Sequence, residues 1–189
     1  VHSHTAGTIG ERLQDLHMAF KNPDVKAIFA AIGGFNSHQL LDELDYDLIR
    51  ANPKIFMGYS DITALLSGIQ TKTGLTTFVG PAILPQFGQL HGLDDYTKEW
   101  FERTLMQTDP IGPIEASDEW TDEGLRWDVN DDRRRTHVAN DGYVVARTGE
   151  GTGPIVAGNL GTLLLLAGTP YMPSLDGAVL MLEDDESEK

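Results

Sequence analysis

Ile55-Phe56-Met57-Gly58-Tyr59-Ser60-Asp61-Ile62 is the stretch on which the reading of this chain turns. Lys54 to Met57 predicts a short buried strand, while Ile62, Leu65, Leu66 and Ile69 recur on one face at helical spacing. Ser60 is thereby expected on a strand-to-helix turn. A hydroxyl there is pushed beyond the sheet at the open end of a helix, where unpaired backbone N–H groups and the positive dipole end favour a developing oxyanion. Those are the mechanics of a nucleophile elbow, although Ile62 stands where G-x-S-x-G has its second glycine. A serine and an aspartate at such a turn also serve as plain helix caps, and the octapeptide alone does not separate the two roles.

Upstream, Thr8-x-x-Glu11 has capping-box spacing, and Ile9, Leu13, Leu16 and Phe20 share one helical face. After the turn Asn22-Pro23-Asp24, the run Val25 to Ile32 is nearly continuous in apolar residues, as a strand buried on both faces should be. It ends in Gly33-Gly34. Helical stretches are expected over Ser37 to Leu44 and near Asp47 to Ala51, with Pro53 as the stop, and a further strand over Thr76 to Val79. Strands alternating with helices predict an α/β domain over residues 1–84, with a doubly wound, Rossmann-like parallel sheet. Ligands of such sheets bind beyond the carboxyl ends of the strands, where both Gly33-Gly34 and Ser60 fall. The Gly34 and Asp61 N–H groups would then be the two oxyanion donors. Gly33-Gly34 reads equally well as a tight turn.

Downstream, residues 85–112 read as a linker and helix, with Leu93, Tyr96, Trp100 and Leu105 on the helix. Residues 113–189 read as part of a smaller α/β C-terminal domain. Its polar stretch Ser117 to Asp141 holds Trp120, Trp127 and Arg133-Arg134-Arg135. The tryptophans are set either to stack on a flat ligand group or to pin the loop to the body. The arginines are set either to meet an anion or to form a solvated face. Gly149-x-Gly151-x-Gly153 lacks the Lys-Ser/Thr of a phosphate loop and is read as a turn between two strands, Tyr143 to Arg147 and Ile155 to Asn159. An apolar helix to Ala167 and a strand from Ala178 follow. Glu183, at the end of that strand, is placed to orient an imidazole, or else begins an acidic tail.

Composition narrows the classes. The chain has 189 residues, no cysteine, and 29 acidic against 14 basic side chains, a net charge of -15. Thiol nucleophiles and CxxC metal sites are excluded, and nucleic acid and anionic membrane are poor partners for so acidic a surface. The absence of cysteine fits a cytoplasmic protein, no apolar run is long enough to span a bilayer, and the N-terminal residues given lack signal-peptide regions. The chain opens on Val1 and is expected to be a piece of a longer protein.

Ala31-Ile32-Gly33-Gly34-Phe35-Asn36-Ser37, Gly58-Tyr59-Ser60-Asp61, Gly158-Asn159-Leu160, Gly168-Thr169-Pro170-Tyr171 and Leu182-Glu183-Asp184, in this order, resemble the LD-carboxypeptidase family of serine peptidases. That family includes muramoyl-tetrapeptide carboxypeptidases and microcin C immunity proteins. The resemblance implies a Ser-Glu-His triad with Ser60 as nucleophile and Glu183 as the carboxylate. It also implies oxyanion donors at Gly34 and Asp61, and a substrate side lined by Gly33, Asn36 and Ser37. The family histidine lies beyond the position of Glu183, and no histidine of this sequence follows it. The insert with Trp120-Thr121-Asp122-Glu123 and Trp127-Asp128 is similar to the microcin-immunity branch, which implies a peptidyl- or aminoacyl-nucleotide substrate stacked on Trp127, or second on Trp120. A murein LD-peptide is the other substrate the family implies. It further implies a homodimer, with no metal or cofactor called for. The departure at Ala157, where the family has glycine, matters only if that backbone needs a positive φ. A non-catalytic peptide- or nucleotide-binding module using the same crevice is the competing expectation.

Overall fold

The computed structural model describes residues 5–184. By its contacts the chain divides into two units, residues 1–83 with 151–189, and residues 84–150.

The first unit opens on helix α1, Ile9–Lys21, whose start is closed by the capping box expected from sequence. Thr8 N–H donates to Glu11 Oε2 at 2.8 Å and Glu11 N–H to Thr8 Oγ1 at 3.2 Å. Strand β1 (Ala27–Phe29) follows, then a 3-10 helix at Ser37–Glu43, helix α2 (Tyr46–Ala51) and strand β2 (Ile55–Gly58). A 3-10 turn at Ser60–Ile62 leads into helix α3 (Thr63–Thr73) and strand β3 (Phe78–Val79). The three strands form a parallel sheet in the order β1-β2-β3, with Phe29 opposite Met57 and Met57 opposite Phe78. Near Ser37 the expected helix is 3-10 rather than α.

Helix α3 is the centre of this unit, buried at every residue from Thr63 to Ile69. Phe20, Ile49, Phe56, Leu66 and Ile69 make the core around it, each worth about 1.5–3 kcal/mol of apolar transfer when fully buried. The same core takes in Val156, Leu163 and Leu166. Val156 comes from strand β6 (Ile155–Asn159), Leu163 from helix α5 (Leu160–Leu165) and Leu166 from the C-cap of that helix, and strand β7 (Val179–Glu183) pairs with β6 in parallel; these numbers count on from two strands of the other unit. Every residue of β7 is exposed. The glycine series ends in a close crossing rather than a hairpin, since a Cβ on Gly153 would collide with Gly177 O.

The second unit holds helix α4 (Asp95–Leu105) and a short antiparallel pair, β4 (Glu119–Trp120) with β5 (Val138–Ala139). Sequence read that pair as loop. Conversely, Tyr143 to Arg147 is not a strand: no strand pairs with it among the described residues, and Val144 is 91 % exposed. A β-rich run without a partner ladder leaves its backbone to water, which is why the apolar alternation there does not become structure. No described helix is long and apolar enough to cross a membrane.

Candidate active site

Ser60 is the one described non-glycine residue with positive φ, at 57°. The elbow is held there from three sides. Tyr59 before it is extended, Thr63 N–H closes the turn on the Ser60 and Asp61 carbonyls, and Gly58 lies under it. A Cβ on Gly58 would stand 2.8 Å from Ile62 Cγ2 and 2.9 Å from Ala30 Cβ, so only glycine lets the chain double back this tightly. Left-handed backbone at a non-glycine residue costs about 1–3 kcal/mol and persists only where its surroundings impose it. Ser60 Oγ makes no hydrogen bond among the described residues.

The Gly33-Gly34 loop meets the elbow directly. A Cβ on Gly33 would lie 3.0 Å from Ser60 Cβ and 3.1 Å from its Oγ. One on Gly34 would lie 3.3 Å from Asp61 Oδ2. The two loops predicted to converge therefore do so, with bare backbone facing the serine. Asn36 and Ser37 N–H groups donate to Asp61 Oδ2 at 3.0 and 2.9 Å, and Ser37 Oγ donates to Asp61 O at 2.5 Å. Ser37 is buried, and its N–H and Oγ are both taken up by Asp61.

Behind the elbow, Gly158 lies against Thr63, and Asn159 N–H donates to Thr63 Oγ1 at 3.0 Å. The Asn159 side chain caps α5 by accepting from Thr162 N–H at 2.8 Å. Asn159 is register-paired with Glu183. The end of β7 is thus tied to the residue three positions after Ser60. Ala157, the departure from the family pattern, has no positive φ and sits in the strand without strain. Sequence singled out Gly158-Asn159 only as a motif; the cap it forms on α5 and the docking onto Thr63 came from the structure.

No hydrogen bond joins a described histidine to Ser60 or Glu183. His17 Nε2 accepts from Asp45 N–H at 3.0 Å, His38 and His91 are exposed, and His137 Nε2 lies 3.4 Å from Asp94. His2 and His4 lie outside the described residues. Among the described residues no cluster of three His, Asp or Glu side chains could hold a metal ion.

Trp120 and Trp127 belong to the second unit, 48 % and 54 % exposed. Neither is pinned into a core. Within that unit Arg133 pairs with Glu123 at 2.5 Å, and Arg134 bridges Asp94 and Glu119. The Glu123 carboxyl is held down to about 2 by the Arg133 hydrogen bond first and the Thr136 N–H second. A cavity of about 350 Å³ is lined by His91, Asp94, Asp131, Arg133, Arg134 and Arg135, among others.

Residues 1–80 match the LD-carboxypeptidase N-terminal domain and residues 152–189 its C-terminal domain. The chain belongs to the LD-carboxypeptidase family. A putative carboxypeptidase of Bacillus subtilis, YocD, is 46 % identical over 95 % of this chain and 54 % of its own. The Escherichia coli microcin C7 self-immunity protein MccF is 42 % identical over 95 % of this chain and 53 % of its own. An MccF structure in complex with glutamyl sulfamoyl guanosine matches with a TM-score of 0.82, covering 94 % of this chain and 54 % of that one. An MccF-like protein from Bacillus anthracis matches with a TM-score of 0.88 and 47 % identity, covering 98 % of this chain and 54 % of that one. The chain spans about half the length of these LD-carboxypeptidase relatives.

Proposed function

We propose that this chain carries the nucleophile of a serine carboxypeptidase-type hydrolase that cleaves the amide of a peptidyl- or aminoacyl-nucleotide. The observation that supports it is the elbow: Ser60 held at positive φ, its Oγ without a hydrogen bond among the described residues, and Gly33 so near that a Cβ on it would stand 3.1 Å from that oxygen. Ser60 Oγ attacks the carbonyl carbon and its proton passes to a histidine of the full-length protein, oriented by Glu183. The Gly34 and Asp61 N–H groups hold the tetrahedral oxyanion. Collapse breaks the C–N bond, the histidine returns the proton to the leaving nitrogen, and water then releases the acyl group from Ser60. In this reading residues 1–84 are the nucleophile-bearing domain, 85–112 connect, and 113–189 belong to the C-terminal domain. Gly33 and Asn36 face the substrate, while Trp127, then Trp120, stacks on its base. The nucleotide class rests on the likeness to MccF; a murein LD-peptide is the other class the family offers. The enzyme works as a cytoplasmic homodimer.

The test is turnover by the protein of full family length on glutamyl sulfamoyl guanosine and on a murein LD-tetrapeptide, with Ser60→Ala alongside. Hydrolysis of the nucleotide that Ser60→Ala abolishes is the expected result. Turnover surviving Ser60→Ala sinks the assignment. Ligand binding with no turnover and no acyl-enzyme mass would instead establish the non-catalytic module.

A further inference from the structure

Asp61 does more than offer its N–H. We propose that the Asp61 carboxylate is a positioning residue that latches the Gly33-Gly34 loop against the nucleophile, with Arg12 as the far anchor of the latch. The inference rests on the reading of Ser60 given above.

The argument begins at the 3-10 helix Ser37–Glu43, whose first N–H groups have no intrahelical acceptor. Its N-cap residue, Asn36, makes no side-chain capping bond. The Asn36 Oδ1 is engaged elsewhere, accepting from Arg12 Nη1 at 3.1 Å. The missing cap comes from another element: Asp61 Oδ2 accepts from both the Asn36 and Ser37 N–H groups. Such an ionised acceptor on backbone N–H groups at a helix start makes bonds stronger than neutral ones. Ser37 Oγ adds a third bond, to the Asp61 carbonyl. Asp61 is buried, so these bonds are sheltered from competing water.

Arg12 holds the same loop from the other side. Its Nη1 also donates to the Asn36 carbonyl at 3.2 Å, and its Nη2 to Gln39 Oε1 at 3.0 Å. The Gly33–Ser37 segment is therefore clamped between α1 and the elbow. Gly33 and Gly34, two to four residues from the bonded N–H groups, carry no side chains that could fix them. Their distance to Ser60 is set by the clamp. Because the aspartate that clamps the loop directly follows the nucleophile, loop and serine move as one body.

Displacing an oxyanion donor by about 1 Å costs on the order of a hundredfold in rate. In the protein of full family length, Asp61→Ala is expected to lower kcat about a hundredfold with KM within a few-fold, while Asp61→Asn, which keeps one oxygen for both N–H groups, restores most of it. Arg12→Met, on a surface helix and away from the elbow, is expected to lower kcat about tenfold in a protein that still folds. Reaction of Ser60 with a fluorophosphonate, read by intact mass, should slow in parallel. Wild-type protein that the probe does not label overturns the reading of Ser60 and this inference with it. Labelled wild type, with Arg12→Met and a folded Asp61→Ala both at wild-type kcat, overturns the latch alone. If Asp61→Ala does not fold, wild-type kcat in Arg12→Met is sufficient to overturn it.

Discussion

Gly158 lies flat against Thr63: a Cβ on the glycine would stand 2.3 Å from the threonine Cγ2 and 2.7 Å from its Oγ1. That contact seats β6 on the first turn of α3, three residues after Ser60. It also brings the Asn159 N–H onto Thr63 Oγ1, and the β6–β7 register sets Glu183 opposite Asn159.

Gly158→Ala introduces that overlap at a φ of 150°, where side chains are disfavoured. The expected loss is about 1–3 kcal/mol, seen as a lower urea midpoint. Thr63→Val, which keeps the shape but removes the acceptor for a buried N–H, is expected to cost about 1–3 kcal/mol. If both variants unfold with wild-type midpoints, β6 does not dock as described.

Ser60 is strained in a way that glycine would not be. Ser60→Gly is expected to be more stable than Ser60→Ala by about 1 kcal/mol, with both inactive. Equal midpoints for the two variants would mean the left-handed conformation carries no cost in solution.

Gly33→Ala puts a methyl carbon 3.1 Å from Ser60 Oγ without entering the core. Activity of the full-length protein is expected to fall by about a hundredfold or more, with the thermal midpoint nearly unchanged. Wild-type turnover in this variant would place the reacting carbonyl on another side of the serine.

Glu123, lowered to about 2 from 4.5, gives the second unit an acid-sensitive joint. The folded carboxyl has the lower pKa, so its contribution is present above about 4.5 and is lost as the pH falls toward 2. The pair is exposed and should weaken in salt. A carboxyl carbon titration by NMR is expected to place Glu123 well below the usual range, and Arg133→Gln to bring it back up. A wild-type titration near 4.5 would show that Arg133 does not hold it.

Local signals in this sequence are strong where one segment decides its own conformation. Thr8-x-x-Glu11 determined where α1 begins, because both partners of the capping box lie within one turn. The apolar run before Gly58 and the helical spacing after Ile62 determined a strand-to-helix turn, and with it the place of Ser60 at a strand end. Glycines 33 and 34 were legible as a loop at the end of β1. What the sequence could not contain was which groups at long separation share a bond. The Asp61 carboxylate found its partners 24 and 25 residues upstream, Arg12 met Asn36 across 24, and Asn159 reached Thr63 across 96. Nothing in Ser37 by itself announces that its N–H and Oγ bond to Asp61. Tyr143 to Arg147 failed in the opposite direction: strand propensity was present, and only the tertiary structure could supply or withhold a partner ladder. Sequence determined the elements and the turn at Ser60 because backbone sterics and periodicity are local. Tertiary structure decided how close the Gly33-Gly34 loop comes to Ser60 and the docking of β6, because hydrogen bonds and close packing between remote segments exist only once the chain is folded.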